Sequence, residues 1–220
     1  SYTYFTWRNT RHELEAYLTE LTSEAPKDFF RPHFFVNTHD INPDFLQNAP
    51  RSAYMIRAAL AATLSGLWGV YNGFELCEGR PDVKRKEYAD SEKYEIRAWD
   101  WDRPGNIIRE ITMLNRIRNE NAALHSHLGL TLLPSSNPNV MFYEKATSGR
   151  ENVLFIAVNL DPQNYHESDV EAPLWRWNIP DHGSIELDDL VSGRPLTWQS
   201  KWQRLRLDPH ALPFCIYRAR

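Results

Sequence analysis

The chain has 220 residues, enough for one large domain or two small ones, and its 42% hydrophobic and 25% charged content is that of a globular protein with a core to bury. A net charge of −4 with no basic run gives no footing to nucleic acid or an anionic membrane, and no apolar stretch approaches the roughly 20 residues a membrane span needs. Two distant cysteines, Cys77 and Cys215, make neither a CxxC motif nor a disulfide framework, and they read as inert thiols of a reducing cytosol.

In chain order, the first segment, Tyr2-Thr3-Tyr4-Phe5, is β-branched and aromatic and predicts a strand; opening in mid-strand and without methionine, the chain is expected to have a processed or cut start. Thr10-Arg11-His12-Glu13 is a capping box, and Leu14, Tyr17, Leu18 and Leu21 follow at helical spacing. Ser23 to Asp28 reads as a polar loop. His33 to Val36 predicts a second strand, ending in the polar turn Asn37-Thr38-His39-Asp40. After the loop Asn42 to Pro50, Ser52 to Ser65 is apolar on most faces, so a largely buried helix is expected, with Gly66 as its stop. Leu67 to Tyr71 predicts a third strand. Glu75 to Asp102 is long, charged and aperiodic, the character of a functional loop. Beyond Pro104-Gly105-Asn106, a further helix carries Ile107, Ile111, Leu114 and Arg118 on one face.

After about residue 125 the texture changes to short strands, Gly129–Leu133, Val140–Glu144, Val153–Asn159, Ile185–Leu187 and Arg204–Leu207, with turn signals between them. That spacing predicts an antiparallel sandwich. The expected division is therefore α/β over residues 1–125 and all-β over 126–220. Three β/α units alone would leave open sheet edges and uncovered faces. They suit the last part of a (β/α)8 barrel followed by an antiparallel β-sandwich.

Two motifs carry a resemblance. Phe35-Val36-Asn37-Thr38-His39-Asp40 resembles the strand-seven motif of the α-amylase superfamily, with Thr38 where an asparagine is usual. Gly69-Val70-Tyr71-Asn72-Gly73-Phe74-Glu75 resembles the strand-eight signature, one helix later, as the order requires. Ser1–Asn9, Phe35–Pro43, Tyr71–Glu78, Ser91–Glu95, Trp99–Asp102 with Pro104-Gly105-Asn106, and the tail with Asp189-Leu190, Trp198 and Leu207-Asp208-Pro209 are similar to bacterial maltosyltransferases that use maltose 1-phosphate to extend α-1,4-glucans. In that family a proline commonly stands where this chain has His39.

The resemblance implies that residues 1–125 are strands six to eight of the catalytic barrel with their helices, and 126–220 the C-terminal sandwich. It implies that Asp40 is the superfamily's third carboxylate, the transition-state stabiliser that holds the hydroxyls of the reacting sugar. Lys93 and Tyr94 match a pair that contacts the donor sugar, and His39 is a further candidate hydroxyl partner. The nucleophile, the general acid/base and the phosphate site fall upstream of residue 1. The implied partners are maltose 1-phosphate, an α-1,4-glucan and the missing N-terminal barrel segment, with a cytoplasmic homo-oligomer as the complete enzyme, no organic cofactor and no metal.

Other residues draw plainer expectations: Glu75 a structural hydrogen-bonding group, Arg8 a structural ion pair, Asp100 with Asp102 and His125 with His127 no metal site. A superfamily hydrolase, a trehalose-forming isomerase and a non-catalytic glucan-binding module are the competing readings. The Ser91–Tyr94 loop and the tail favour the maltosyltransferase over the first two.

Overall fold

The computed structural model of the chain describes residues 2–84 and 86–220. Its first helix, α1 (Arg11–Ser23), starts at the expected capping box: the Thr10 side chain accepts from the Glu13 amide while Glu13 bonds back to the Thr10 amide. Leu14, Tyr17, Leu18 and Leu21 are its buried face. A four-residue helix, α2 (Pro26–Phe29), occupies the segment expected as loop, with Pro26 in its first turn, where a missing N–H costs nothing. Strand β1 (His33–Phe35) leads through a turn and a short 3-10 segment at Asp44–Leu46 to helix α3 (Arg51–Leu64). Strand β2 (Leu67–Gly69) follows, then the long loop, then helix α4 (Ile108–Glu120).

β1 and β2 pair in parallel, His33 opposite Leu67 and Phe35 opposite Gly69. The strand expected over Tyr2–Phe5 is reduced to one parallel bridge between Tyr2 and His33, and Tyr4–Trp7 coils into a 3-10 helix. Side chains take the place of a ladder there. Arg57, from buried α3, donates to the carbonyls of Phe5 and Arg8, both at 2.6 Å, and its guanidinium stacks 3.9 Å from the Phe5 ring. No carboxylate pairs with it among the described contacts, and burial pushes its pKa down to about 9.

Helix α3 is buried around its whole circumference, because α4 packs beside it, β1 and β2 lie against it, and β5 of a second sheet packs on it as well. Its C-terminal carbonyls are met by Arg118 of α4, which donates to Ser65 O at 2.9 Å, to Gly66 O at 2.8 Å and to Ala62 O. Gly66 serves close approach, not a left-handed helix stop: a Cβ there would lie 2.6 Å from the His125 carbonyl oxygen.

The remainder is antiparallel: β3 (Leu130–Leu133), β4 (Val140–Ala146), β5 (Val153–Asn159), β6 (His166–Glu171), β7 (Ser184–Asp189), β8 (Arg194–Gln199), β9 (Trp202–Leu207) and β10 (Phe214–Ala219). Six strands form one sheet in the order β3-β4-β5-β10-β7-β8, and β6 with β9 makes a second, two-stranded layer. Phe142, Phe155, Val170, Trp198, Leu205 and Leu207 fill the space between the layers. The opposite face of the large sheet, with Met141, Tyr143, Ile156 and Ile216, joins the same core as α3. β4 and β5 are therefore covered on both faces, and Tyr143 OH lies 2.5 Å from Thr63 Oγ1 across the junction.

The shared core makes a prediction. Tyr143→Phe removes one buried hydrogen bond, at a cost of about 1 kcal/mol, so the melting midpoint of the chain should fall by about 2–4 °C. Strand and helix signals should still melt together in circular dichroism. Separate transitions for the two halves would contradict a common core.

Candidate functional site

The site gathers where β1 and β2 end. Past β1 the chain turns on itself: Thr38 and Ile41 exchange backbone hydrogen bonds at 3.1 and 3.2 Å, which projects His39 and Asp40 outward from the turn. Beside them, a cleft of about 350 Å³ is lined by Phe35, Asp40, Val70 and Tyr71, among others.

Asn37, wholly buried, organises this end of the molecule. Its Oδ1 accepts the Tyr71 amide at 2.8 Å, which joins the end of β1 to the end of β2. Its Nδ2 donates to Tyr88 OH at 2.6 Å, which fixes the long loop to both. Two more ties hold that loop. Tyr71 OH lies 3.3 Å from Ser91 Oγ. Glu92 accepts from Asn72 Nδ2 at 2.6 Å and from Trp99 Nε1 at 2.8 Å. Gly73 makes room for the indole: its φ of +93° is left-handed, and a Cβ would lie 2.6 Å from the Trp99 ring.

Lys93 follows directly on these two anchors. Its ammonium donates to Asp40 Oδ1 and, at 3.3 Å, to Glu87 Oε1. His39 Nε2 lies 3.0 Å from the other Asp40 oxygen, an ionic contact when the imidazole is protonated. Tyr94 is exposed; its hydroxyl donates to Glu87 at 3.5 Å, and the Lys93 ammonium sits 5.3 Å from its ring centroid. Of the four residues singled out in the sequence, Asp40, His39 and Lys93 thus meet directly, and Tyr94 joins through Glu87. Lys93, followed by His39, holds the Asp40 carboxyl below its ordinary 3.8, so it is an anion at neutral pH. The pair raises Lys93 in turn. An exposed carboxylate and ammonium beside an apolar cleft can exchange these ion-pair contacts for the hydroxyls of a polar ligand.

Asn37, Tyr71, Tyr88 and Glu87 escaped the sequence reading. Asn37 and Tyr71 at least stood inside the two motif runs; Glu87 lies in a charged stretch without periodicity, where nothing marks one acid over another. Neither Arg8 nor Glu75 makes the expected side-chain contact among the described residues. Arg8 makes no ion pair among the described contacts; its guanidinium lies 6.0 Å from the Tyr4 ring and 5.9 Å from the Tyr17 ring. Glu75 Oε2 is buried without a hydrogen-bond partner among the described residues, while the Glu75 backbone oxygen accepts from Ile107. No group of metal-binding side chains occurs among the described residues. Burial pushes both the Cys77 and the Cys215 thiol up to about 12, so neither is a thiolate at neutral pH.

Comparison with known proteins adds the following. The family model described as GLGE, C-terminal, matches residues 132–218. The α-1,4-glucan:maltose-1-phosphate maltosyltransferase of Cereibacter sphaeroides is 46% identical over 218 residues, which is 99% of this chain and 33% of that protein. The proteins of the same name from Pseudomonas aeruginosa and Burkholderia pseudomallei are 48% and 49% identical, with 33% and 20% of their lengths covered. The chain thus spans a third or less of these relatives. Among solved structures, an Anoxybacillus α-amylase superposes on 96% of this chain and 42% of its own, with a TM-score of 0.67 at 13% identity. A Geobacillus thermoleovorans α-amylase covers 98% of this chain and 45% of its own, with a TM-score of 0.66 at 15% identity. At such identities the likeness is one of fold: an amylase-like arrangement whose C-terminal part is an antiparallel sandwich.

Two outcomes are expected at the site. Lys93→Met should raise the Asp40 carboxyl midpoint toward 3.8, read from its side-chain carbon resonance by NMR. The sign follows from the depressed native value: the pair stabilises the fold above pH 3.8, and that contribution is lost as pH falls through the native midpoint. An unmoved midpoint would mean that the pair does not form in solution. Asn37→Ala strands the Tyr71 amide and the Tyr88 hydroxyl, so denaturant unfolding should show a loss of about 2–3 kcal/mol. Amide exchange should quicken around Tyr88 to Tyr94 before it does in α3.

Proposed function

We propose that this chain, which belongs to the α-1,4-glucan:maltose-1-phosphate maltosyltransferase family, supplies the C-terminal part of an enzyme that moves maltose from maltose 1-phosphate to the 4-hydroxyl of an α-1,4-glucan with retention. Residues 1–125 would be the last three β/α units of a (β/α)8 barrel and 126–220 its sandwich. The parallel pair β1–β2 with α3 and α4 on one face supports that assignment. The single observation that carries the reading is the meeting of Asp40, His39 and Lys93 beyond the C-terminal end of β1, the end at which barrels of this kind hold their chemistry.

The roles follow from the donor and acceptor character of each group. Asp40, ionised, accepts hydrogen bonds from two hydroxyls of the reacting sugar; those bonds strengthen as the ring flattens toward the oxocarbenium-like transition state. Lys93 and His39 donate to hydroxyl oxygens, and the Tyr94 ring offers a flat apolar face to the sugar. A retaining reaction also needs a nucleophilic carboxylate and an acid/base carboxylate about 5–5.5 Å apart. In this reading both belong to barrel strands outside these 220 residues, with the phosphate site. The nucleophile takes the maltosyl group as phosphate departs, and the glucan hydroxyl then displaces the enzyme. The complete enzyme would be a cytoplasmic homo-oligomer.

The test is phosphate release from maltose 1-phosphate with a malto-oligosaccharide acceptor. Release is expected from this chain combined with the N-terminal barrel segment, not from the chain alone. Asp40→Ala should reduce it by at least about 100-fold, the scale of losing a charge-assisted group in the transition state. Release by the chain alone would contradict the location given to the nucleophile; silence of the combined protein would contradict the function.

A further inference from the structure

The ammonium that meets Asp40 is shared with a second carboxylate, and the fold goes to some length to place it. Arg80 to Asp82 and Glu87 to Ala89 run antiparallel to each other, joined by Ala89 N to Arg80 O at 2.9 Å and Asp82 N to Glu87 O at 3.0 Å, with Pro81 and Tyr88 paired. Tyr88, buried to 5% exposure, is pinned by Asn37, and that pin fixes the backbone of its neighbour Glu87. The Glu87 side chain is only 15% exposed, and it accepts from both Lys93 and Tyr94, at 3.3 and 3.5 Å. One carboxylate thus touches both members of the pair assigned to the donor sugar.

We propose that Glu87 is the positioning residue of the site: it holds Lys93 and Tyr94 in place when sugar hydroxyls take over the oxygens of Asp40. The inference rests on the sugar-holding role given above to Lys93 and Tyr94. Its logic is competitive. Lys93 is bonded to Asp40 and Glu87 together. A sugar that claims Asp40 must displace the ammonium from it. Glu87 keeps the displaced ammonium within reach as a donor to the same sugar. Without the Glu87 charge, Asp40 is the one acid bonded to Lys93 among the described residues, and the ion pair competes with the ligand. Glu87 itself touches no sugar.

Two measurements test this, one of them independent of turnover. In the full-length protein, Glu87→Gln should lower kcat/KM for maltose 1-phosphate about tenfold, the scale of a misplaced substrate-positioning group, with the loss carried by KM. Glu87→Asp should recover most of it, and the melting temperature should not change. In a Lys93→Met background, Glu87→Gln should add nothing. Wild-type kinetics in the glutamine variant, or a loss that adds to that of Lys93→Met, would overturn the proposal. Should the unaltered full-length protein transfer no maltosyl group, the functional reading fails, and the second measurement judges the inference by itself. Glu87→Gln should lower the Asp40 midpoint seen by NMR, because Lys93 then serves Asp40 alone, and this effect should vanish in Lys93→Met. An unmoved midpoint would show that Glu87 does not share Lys93 with Asp40, and a change that persists without Lys93 would show Glu87 to be no more than a nearby charge; either overturns the proposal.

Discussion

One buried carboxamide governs the functional end of this molecule. Asn37, at the end of its own strand, has an acceptor and two donor hydrogens, and the fold spends them on two other segments: Oδ1 accepts the Tyr71 amide after β2, and Nδ2 donates to the Tyr71 carbonyl and to Tyr88 of the long loop. The two strands are only three residues each, too short to fix their own ends. A buried amide cannot leave its donors and acceptor unmet without a cost comparable to a lost hydrogen bond, so the three segments are locked in one arrangement. Every residue of the site hangs from that lock. His39 and Asp40 follow Asn37 by two and three residues, Glu87 precedes Tyr88, and Lys93 follows Ser91, which meets Tyr71.

The lock is useful only because what lies beneath it is rigid. α3 is buried on all sides, its carbonyl end is met by Arg118, and Arg57 fastens the first segment to it. The sandwich is not an appended module in energetic terms. The lower face of its large sheet belongs to the same core as α3, and a hydroxyl pair crosses the junction. Displacement of either half would open the other, which ties the geometry of the exposed charges to packing tens of residues away.

Sequence pattern revealed the helices best. The capping box and the Leu14, Tyr17, Leu18, Leu21 spacing define α1, since both signals are local. Among the sandwich strands, β5 is legible along its whole apolar length and β9 over Arg204–Leu207, while β6, where charge alternates with apolar residues and Asp169 pairs with Arg204, escapes the pattern. The first segment misled, because its aromatic character satisfies strand propensity while a buried arginine from α3 takes its carbonyls. At the site, Asp40, His39, Lys93 and Tyr94 were named through a family likeness, not through periodicity. The contact between Asp40 and Lys93 spans 53 positions and leaves no trace in spacing. Glu87 was invisible for the same reason: its meaning comes from the pairing of Pro81 with Tyr88, which only the folded loop creates.

The central claim is that Asp40 and its neighbours hold the sugar that reacts. The most direct measurement is a crystal structure of the full-length protein with a maltosyl group trapped on the enzyme. The account predicts two sugar hydroxyls donating to Asp40, the Lys93 ammonium displaced from it but still bonded to Glu87, and the Tyr94 ring against the sugar. A trapped sugar lying elsewhere, with Lys93 still bonded to Asp40, would contradict it.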